Sequence, residues 1–414
     1  MKSLGGTSRI ARLRRRPEVR VLARIAAGAG VDAWLVGGAV RDAALGLPQR
    51  ILEVDAAVAH DAEGIAAELQ RAGLGTAVFL SKDRPGPRVF RVAGRRPLDL
   101  AEIEGGTIEA DLRRRDFTAN AIAVGLADGR ILDPFGGLSD LASGRLRCVD
   151  PKNLLDDPLR ALRAARFLAT HGLSPDGATL AAARRAAPEL ARVARERIAV
   201  ELARLLEARE AGPAFAWAAR AGLLPGALGL ELSPTRAGRA ARSLRPLDAP
   251  AIRRLPAERR RRLRLARLAA ALALTPGETR RWLSGLRLAR REAEEVARLQ
   301  SLAHAAARVR SRDRRNAIAW LLEAGEAAPD ALRLAGLSGG REAVRRITRL
   351  ERLARTPLRR LALSGGDVIR WTSVPPGPRV GELLAQLRLQ VALGTVRNRR
   401  EARDWLAVQV PRRP

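Results

Sequence analysis

Val36-Gly37-Gly38-Ala39-Val40-Arg41-Asp42, followed by Glu53-Val54-Asp55, decides how the first third of the chain is read. Trp34-Leu35-Val36 has the composition of a strand, Gly37-Gly38 that of a tight turn, and Ala39 to Leu45 that of a helix start. Two glycines between a strand and a helix let backbone N–H groups approach a phosphate, and the helix N-terminus favours negative charge. Arg41 adds a charge-assisted contact. A Gly-Gly turn alone is structural more often than not, so the acids downstream carry the weight. Glu53 and Asp55 stand two apart at a predicted strand, Val54 to Val58, and therefore share a face. Neighbouring carboxylates repel unless a cation or solvent separates them. Mg²⁺, bound through carboxylates and substrate phosphates, is the expected occupant. Asp99, on the predicted strand Leu98 to Ile103, would supply a third oxygen ligand; solvated acids at a strand end are the competing reading.

Outward from this stretch, Val89 to Ala93 reads as a further strand, and Ile122 to Leu126 and Arg130 to Leu132 flank Asp128-Gly129, a hairpin signal. The first part is thus expected to be a small domain of mixed sheet and helices. Its densest polar cluster is Asp111-Leu112-Arg113-Arg114-Arg115-Asp116-Phe117-Thr118-Ala119-Asn120-Ala121, where arginines suit triphosphate oxygens and Asp116 and Asn120 suit loop geometry or sugar hydroxyls. A solvated charged face is the alternative. From Asp157 helices dominate. Asp157-Pro158 reads as an N-cap with proline in the first turn, and Arg160 lies one turn on, so that an Asp acceptor and an Arg fork could together meet a base edge. Leu155, Leu159 and Leu162 are expected to form an apolar stripe with Arg166 turned toward it; Ile198, Leu202, Leu205 and Leu206 form a second. Breaks are expected near Pro225, Pro234 to Pro250 and Thr275-Pro276-Gly277.

Composition narrows the function classes. The 414 residues are a soft prior of about three domains, and 47% hydrophobic with 29% charged residues suits a folded chain rather than a disordered one. Lys plus Arg number 76 against 44 Asp plus Glu, and a net charge of +32 predicts an anionic partner, nucleic acid ahead of a membrane surface. The single Cys148 excludes an intrachain disulfide and a multi-thiolate zinc site, and reads as a small buried residue. His60, His171 and His304 lack ligand spacing. The longest clean apolar run, Leu268 to Leu274, is far below the roughly 20 residues of a membrane span. Arg9, Arg12, Arg14, Arg15 and Arg16 make a basic start that reads as an arm or first helix, with a transit peptide as the competing reading; the expected location is cytoplasmic.

Taken in order, these segments resemble the class II tRNA nucleotidyltransferases, the CCA-adding enzymes and bacterial poly(A) polymerases of the polymerase β-like superfamily. The matching residues are Gly37 to Asp42, Glu53-Val54-Asp55, Arg114-Arg115-Asp116-Phe117-Thr118, Asp133-Pro134-Phe135-Gly136-Gly137, Asp157-Pro158-Leu159-Arg160 and Glu196-Arg197-Ile198. Ser364-Gly365-Gly366-Asp367, Pro376-Gly377-Pro378 and Gly394 to Leu406 match the tail. The resemblance implies an α+β chain: a basic N-terminal arm or helix (1–30), a nucleotidyltransferase head or palm (31–147), then an all-α neck (148–210), body (211–345) and tail (346–414). It implies addition of CMP and/or AMP from CTP and ATP to the 3′ end of tRNA, with Mg²⁺ on Glu53 and Asp55 and with Glu53, Asp55 and Asp99 catalytic. Gly37, Gly38, Arg41, Arg115 and Asp116 would serve the triphosphate and sugar, Asp157 and Arg160 would select the base, and Arg163 and Arg166 would support the nucleotide. Two departures stand out. Glu53 replaces the family's first aspartate after a spacer from Gly46 two residues longer than usual, and the Asp99 to Asp111 connection is short, as in members that add only CC. A non-catalytic RNA-binding homologue with a degraded metal site is the alternative from a different class, and a poly(A) polymerase is a further one.

Overall fold

A computed structural model describes residues 4–47, 53–81, 86–309, 313–354, 361 and 363–410, which fall into two compact units, Met1–Asp248 and Ala249–Pro414. The spacer that follows Gly46 lies largely outside the described residues.

The first unit begins with helices α1 (Leu4–Leu13) and α2 (Pro17–Gly28), then β1 (Ala33–Val36), α3 (Gly38–Leu45), β2 (Val54–Val58), α4 (Ala62–Arg71), β3 (Thr76–Phe79), β4 (Val89–Ala93), β5 (Leu98–Glu102) and α5 (Ile108–Arg113). After these come β6 (Ala123–Gly125), β7 (Ile131–Leu132), α6 (Gly137–Ala142) and β8 (Arg145–Leu146). Seven strands form one sheet in the order β3-β4-β5-β2-β1-β6-β7, antiparallel except for the parallel pair β2 and β5. One face is apolar because alternate residues point to it: Leu35, Ala56, Val58, Leu98 and Leu100 are all buried. On the other face Val36 and Ala57 pack with Ile108 and Leu112 of α5. The Asp128-Gly129 hairpin forms as expected, between β6 and β7. β3 has no sequence signal, because it is an edge strand whose Thr76, Val78 and Phe79 are exposed and therefore do not alternate.

The basic N-terminal residues are tied into this unit. Arg9 donates to the carbonyls of Ala43 (3.1 Å) and Ala44 (3.0 Å), satisfying the orphan end of α3, and Arg14 donates to those of Leu126 (2.8 Å) and Ala127 (3.0 Å).

Helices complete the unit: α7 (Pro151–Asp156), α8 (Leu159–His171), α9 (Gly177–Ala186), α10 (Arg195–Glu207), α11 (Gly212–Arg220), α12 (Leu224–Leu228) and α13 (Pro234–Leu244). One short strand interrupts them, β9 (Ser174–Pro175), which pairs in parallel with β8 and which the helical periodicity does not announce. Ile198, Leu202, Leu205 and Leu206 of α10 are buried, and α10 packs on α8. The other expected stripe does not form. Leu155 ends up exposed on α7, because Asp157 turns the chain into an extended conformation between α7 and α8 (φ −134°, ψ 94°). Cys148 is buried.

The second unit contains α14 (Pro250–Arg253), α15 (Ala257–Ala271), α16 (Pro276–Gly285), α17 (Arg290–Ala307), α18 (Arg314–Ala324), α19 (Ala328–Leu337), α20 (Arg341–Ala354), α21 (Gly365–Thr372), α22 (Pro378–Leu393) and α23 (Arg399–Gln409). Thr275-Pro276-Gly277 starts α16 through a capping box with Glu278. Ser364-Gly365-Gly366-Asp367 does the same for α21, and Asp367 also accepts from Arg370 (2.5 Å) and Arg399 (2.7 Å). Val368, Val380, Leu383, Leu387, Val396, Ala402 and Leu406 form the core of α21 to α23. Among the described residues no helix is long and apolar enough to cross a membrane.

Candidate active site

Strand register sets the site. Val36 of β1 stands opposite Asp55 of β2, Asp55 opposite Asp99 of β5, and Asp99 opposite Arg91 of β4, so that four residues of distant sequence form one row across the sheet. Directly paired residues present their side chains on the same face. Asp55 and Asp99 are therefore neighbours as the sequence predicts, and Glu53 precedes β2 on the same side.

The Gly37 turn closes over this row. Gly37 has φ 70° and ψ −135°, and a Cβ there would lie 2.9 Å from Asp55 Oδ2, so both conformation and space demand glycine. The Gly38 N–H, at the start of α3, donates to Asp55 Oδ2 at 3.4 Å. Burial pushes the Asp55 carboxyl up from its ordinary value against that N–H; the charges of Asp99 and Glu53 push it further and Arg115 opposes them. Arg115 is aimed here by Asp111, whose Oδ2 accepts from its Nε (3.3 Å) and Nη2 (3.0 Å), leaving Nη1 against the glycine turn.

Arg91 is absent from the sequence-derived site. Its Nε and Nη2 each meet a separate oxygen of Asp99 at 2.7 Å, and Nη2 also donates to Glu53. The hydrogen bonds to Asp99 raise the guanidinium's pKa. Among the described residues no three acidic, histidine or cysteine side chains are grouped to hold a metal, and Glu53 and Asp99 are both paired with Arg91. Its signal was alternation: in Val89-Phe90-Arg91-Val92, buried Phe90 and Val92 put Arg91 on the opposite face.

The remaining predicted residues form a network between sheet and helices within this unit. Arg41 is buried, with Nε on Asp42 (2.8 Å), Nη1 on Asn120 Oδ1 (2.8 Å) and its guanidinium over the Phe167 ring at 4.9 Å. Asp116 accepts from the Phe117 N–H, from Asn120 Nδ2 and from Arg163 Nε, each at 2.8 Å. Burial alone would raise its carboxyl, but Arg163 and these hydrogen bonds hold it below its ordinary value. Arg166 is buried, yet its partner is Glu201 at 2.5 Å and not the leucine stripe, and burial lowers its pKa. Asp157 accepts from Arg197 (2.8 Å) and from the Leu159 N–H (3.3 Å), and Arg160 Nε stands 4.0 Å from it. Arg160 Nη1 also donates to the Arg114 carbonyl at 2.7 Å, and Asn153 Nδ2 to the carbonyls of Arg113 and Arg115 at 2.8 Å, so α7 and α8 hold the arginine run in place. Asp133 caps α6 through the Gly137 (2.6 Å) and Leu138 (2.9 Å) N–H groups, which gives its motif a structural purpose. His60 and His304 lie outside this network.

Three stretches match family models: residues 87–147 the Poly A polymerase head domain, 172–228 the probable RNA and SrmB-binding site of polymerase A, and 260–405 the putative tRNA nucleotidyltransferase domain 2. A CC-adding tRNA nucleotidyltransferase of Geobacter sulfurreducens is 34% identical, covering 94% of this chain and 95% of its own length. The chain belongs to the class II tRNA nucleotidyltransferases. A family member from Geobacillus stearothermophilus, a CCA-adding enzyme, is 33% identical over 90% of this chain and 91% of its own length. The crystal structure of the Bacillus stearothermophilus CCA-adding enzyme in complex with CTP superposes with a TM-score of 0.69 at 27% identity, covering 95% of this chain and 98% of that one. Nucleotidyltransferases of this family generally use divalent metals.

Proposed function

We propose that this tRNA nucleotidyltransferase adds CMP to the 3′ end of tRNA from CTP, and stops after CC. The observation that carries the reaction is the row of Asp55 and Asp99 beneath the Gly37 turn, with Arg115 turned into it. In the reaction the RNA 3′-hydroxyl attacks the α-phosphate of CTP, the bond from that phosphorus to the bridging oxygen breaks, and pyrophosphate leaves.

The chain's own residues then have distinct tasks. The N–H groups of the Gly37-Gly38 turn and the start of α3, with Arg115, hold the triphosphate, while buried Arg41 ties α3 to Asn120 and Phe167. Asp157 and Arg160 present an acceptor and a donor fork to the base, the carboxylate accepting a hydrogen bond from cytosine's amino group. Arg163 and Arg166 support the nucleotide from α8, and Asp116 anchors Arg163. The donor set suits a hard divalent cation, since Asp55 stands directly opposite Asp99 across the sheet with Glu53 two residues before it, all three offering carboxylate oxygens. Mg²⁺ would be held by Glu53 and Asp55 with Asp99 adjacent, and when bound it supplies the charge that activates the hydroxyl and neutralises the leaving oxygen.

The CC limit rests on the connection between β5 and α5, which consists of residues 103–107 and enters α5 directly through the Thr107 N-cap. The resemblance associates a longer loop near there with AMP addition. Transcripts of tRNA lacking the 3′ end, given CTP alone and then CTP with ATP, test this. Two added cytidines in both reactions are expected, and a third nucleotide with ATP would overturn the CC limit. Binding of tRNA with no incorporation would support the non-catalytic reading instead. A tRNA substrate also favours a cytoplasmic location.

A further inference from the structure

We propose that Arg91 is a positioning residue that serves as an internal counter-cation for Glu53 and Asp99, so that a divalent ion must displace its guanidinium before it can use those carboxylates. The proposal rests on the metal reading above and goes beyond it, because it concerns what holds the acids before the ion arrives.

Three observations carry it. Arg91 is opposite Asp99 in the register of β4 and β5, so its side chain starts on the acid face. Both oxygens of Asp99 are engaged, each at 2.7 Å, in a bidentate pair that is geometrically the strongest kind an arginine makes. The same Nη2 reaches Glu53, whose extra methylene relative to aspartate brings its carboxylate within range. One guanidinium thus gathers two of the three acids, while Asp55 accepts from the Gly38 N–H at 3.4 Å. A cation that coordinates Asp99 competes for oxygens already donated to, and two cations on one carboxylate repel. The Arg91 side chain is 38% exposed, so release into solvent is open to it. A structural clip would favour the site's order and tighten metal binding; a counter-cation weakens it. The two roles predict opposite signs.

The test is Mn²⁺ binding followed by electron paramagnetic resonance on the full chain with an α,β-methylene analogue of CTP, comparing wild type, Arg91→Gln and Arg91→Lys. Folding of each variant is checked by circular dichroism and thermal melting. Arg91→Gln should bind Mn²⁺ about two- to fivefold more tightly, the range a largely exposed ion pair is worth. Arg91→Lys, which cannot bridge two acids with a fork, should fall between and carries the test if the glutamine variant does not fold. Unchanged or weaker Mn²⁺ binding in a folded variant would overturn the role of Arg91 while leaving the metal site intact. Mn²⁺ binding that survives Asp55→Asn, or no binding by any form, would overturn the metal reading and this proposal with it.

Discussion

Asp116 and Arg163, separated by 47 residues, meet at 2.8 Å through Nε and at 2.7 Å through Nη2, and this pair joins the end of the arginine run to α8. Asp116 is buried, and its remaining contacts hold the Phe117 N–H and Asn120, the partner of Arg41. Arg163→Ala would remove the nearest cation from a buried carboxylate, but because the Arg163 side chain is 35% exposed and Arg160 remains nearby, the loss should be about 1–3 kcal/mol. Urea denaturation should show that loss, and a change below about 0.5 kcal/mol would mean that the pair does not hold the network.

His171 gives a pH dependence of known sign. Its ring lies 5.2 Å from Phe167, its Nε2 is 3.4 Å from Asp42 Oδ1 and its Nδ1 is 2.7 Å from Thr170 Oγ1, with Arg41 and Arg166 as the nearby positive charges. Burial pushes the imidazole down from its ordinary value, Arg41 and Arg166 add to the push, and Asp42 opposes them. The neutral ring is therefore favoured in the folded state. Stability from it is complete above the unfolded value of about 6.5 and is lost as pH falls below that toward the depressed folded value. Thermal melts between about pH 7.5 and about pH 5.5 should fall more steeply for wild type than for His171→Gln. Parallel curves would contradict this.

Glu53→Asp shortens the acid by one methylene and withdraws it from Arg91 while keeping its charge. CMP incorporation should stay equal or rise. A fall of more than tenfold, about 1.4 kcal/mol of barrier, would show that the longer acid is required in this chain.

The net charge of +32 predicts salt-sensitive RNA binding. Log affinity for tRNA should fall linearly with log salt, with a slope near −0.9 per phosphate neutralised on the model of duplex DNA. Filter binding across a salt series measures it, and a flat line would remove the electrostatic account.

Local chemistry explains what the sequence disclosed. The glycine turn, the acids two apart and the Asp128-Gly129 hairpin are written in short range, so β1, β2, β5 and the pairing of Asp55 with Asp99 could be expected from residue type and period. For Arg91 alternation discloses the face but not the partners, which lie 8 and 38 residues away, because pairing register is set by the whole sheet. The helical period places Arg166 on the shielded side of α8, where it is, but its partner Glu201 is on α10 and no period links the two. Leu155 misled because one apolar spacing ran across two helices broken at Asp157, where Pro158 restricts the preceding residue to extended conformations.

The central claim is that Asp55 serves the chemistry of nucleotidyl transfer and not the grip on RNA. Single-turnover incorporation of labelled CMP into tRNA lacking its 3′ end, measured beside tRNA affinity for wild type and Asp55→Asn, addresses it directly. The account predicts loss of incorporation by at least about a thousandfold, roughly 4 kcal/mol of transition-state stabilisation, with tRNA affinity within about twofold of wild type. An Asp55→Asn enzyme that still adds cytidine at the wild-type rate would contradict it.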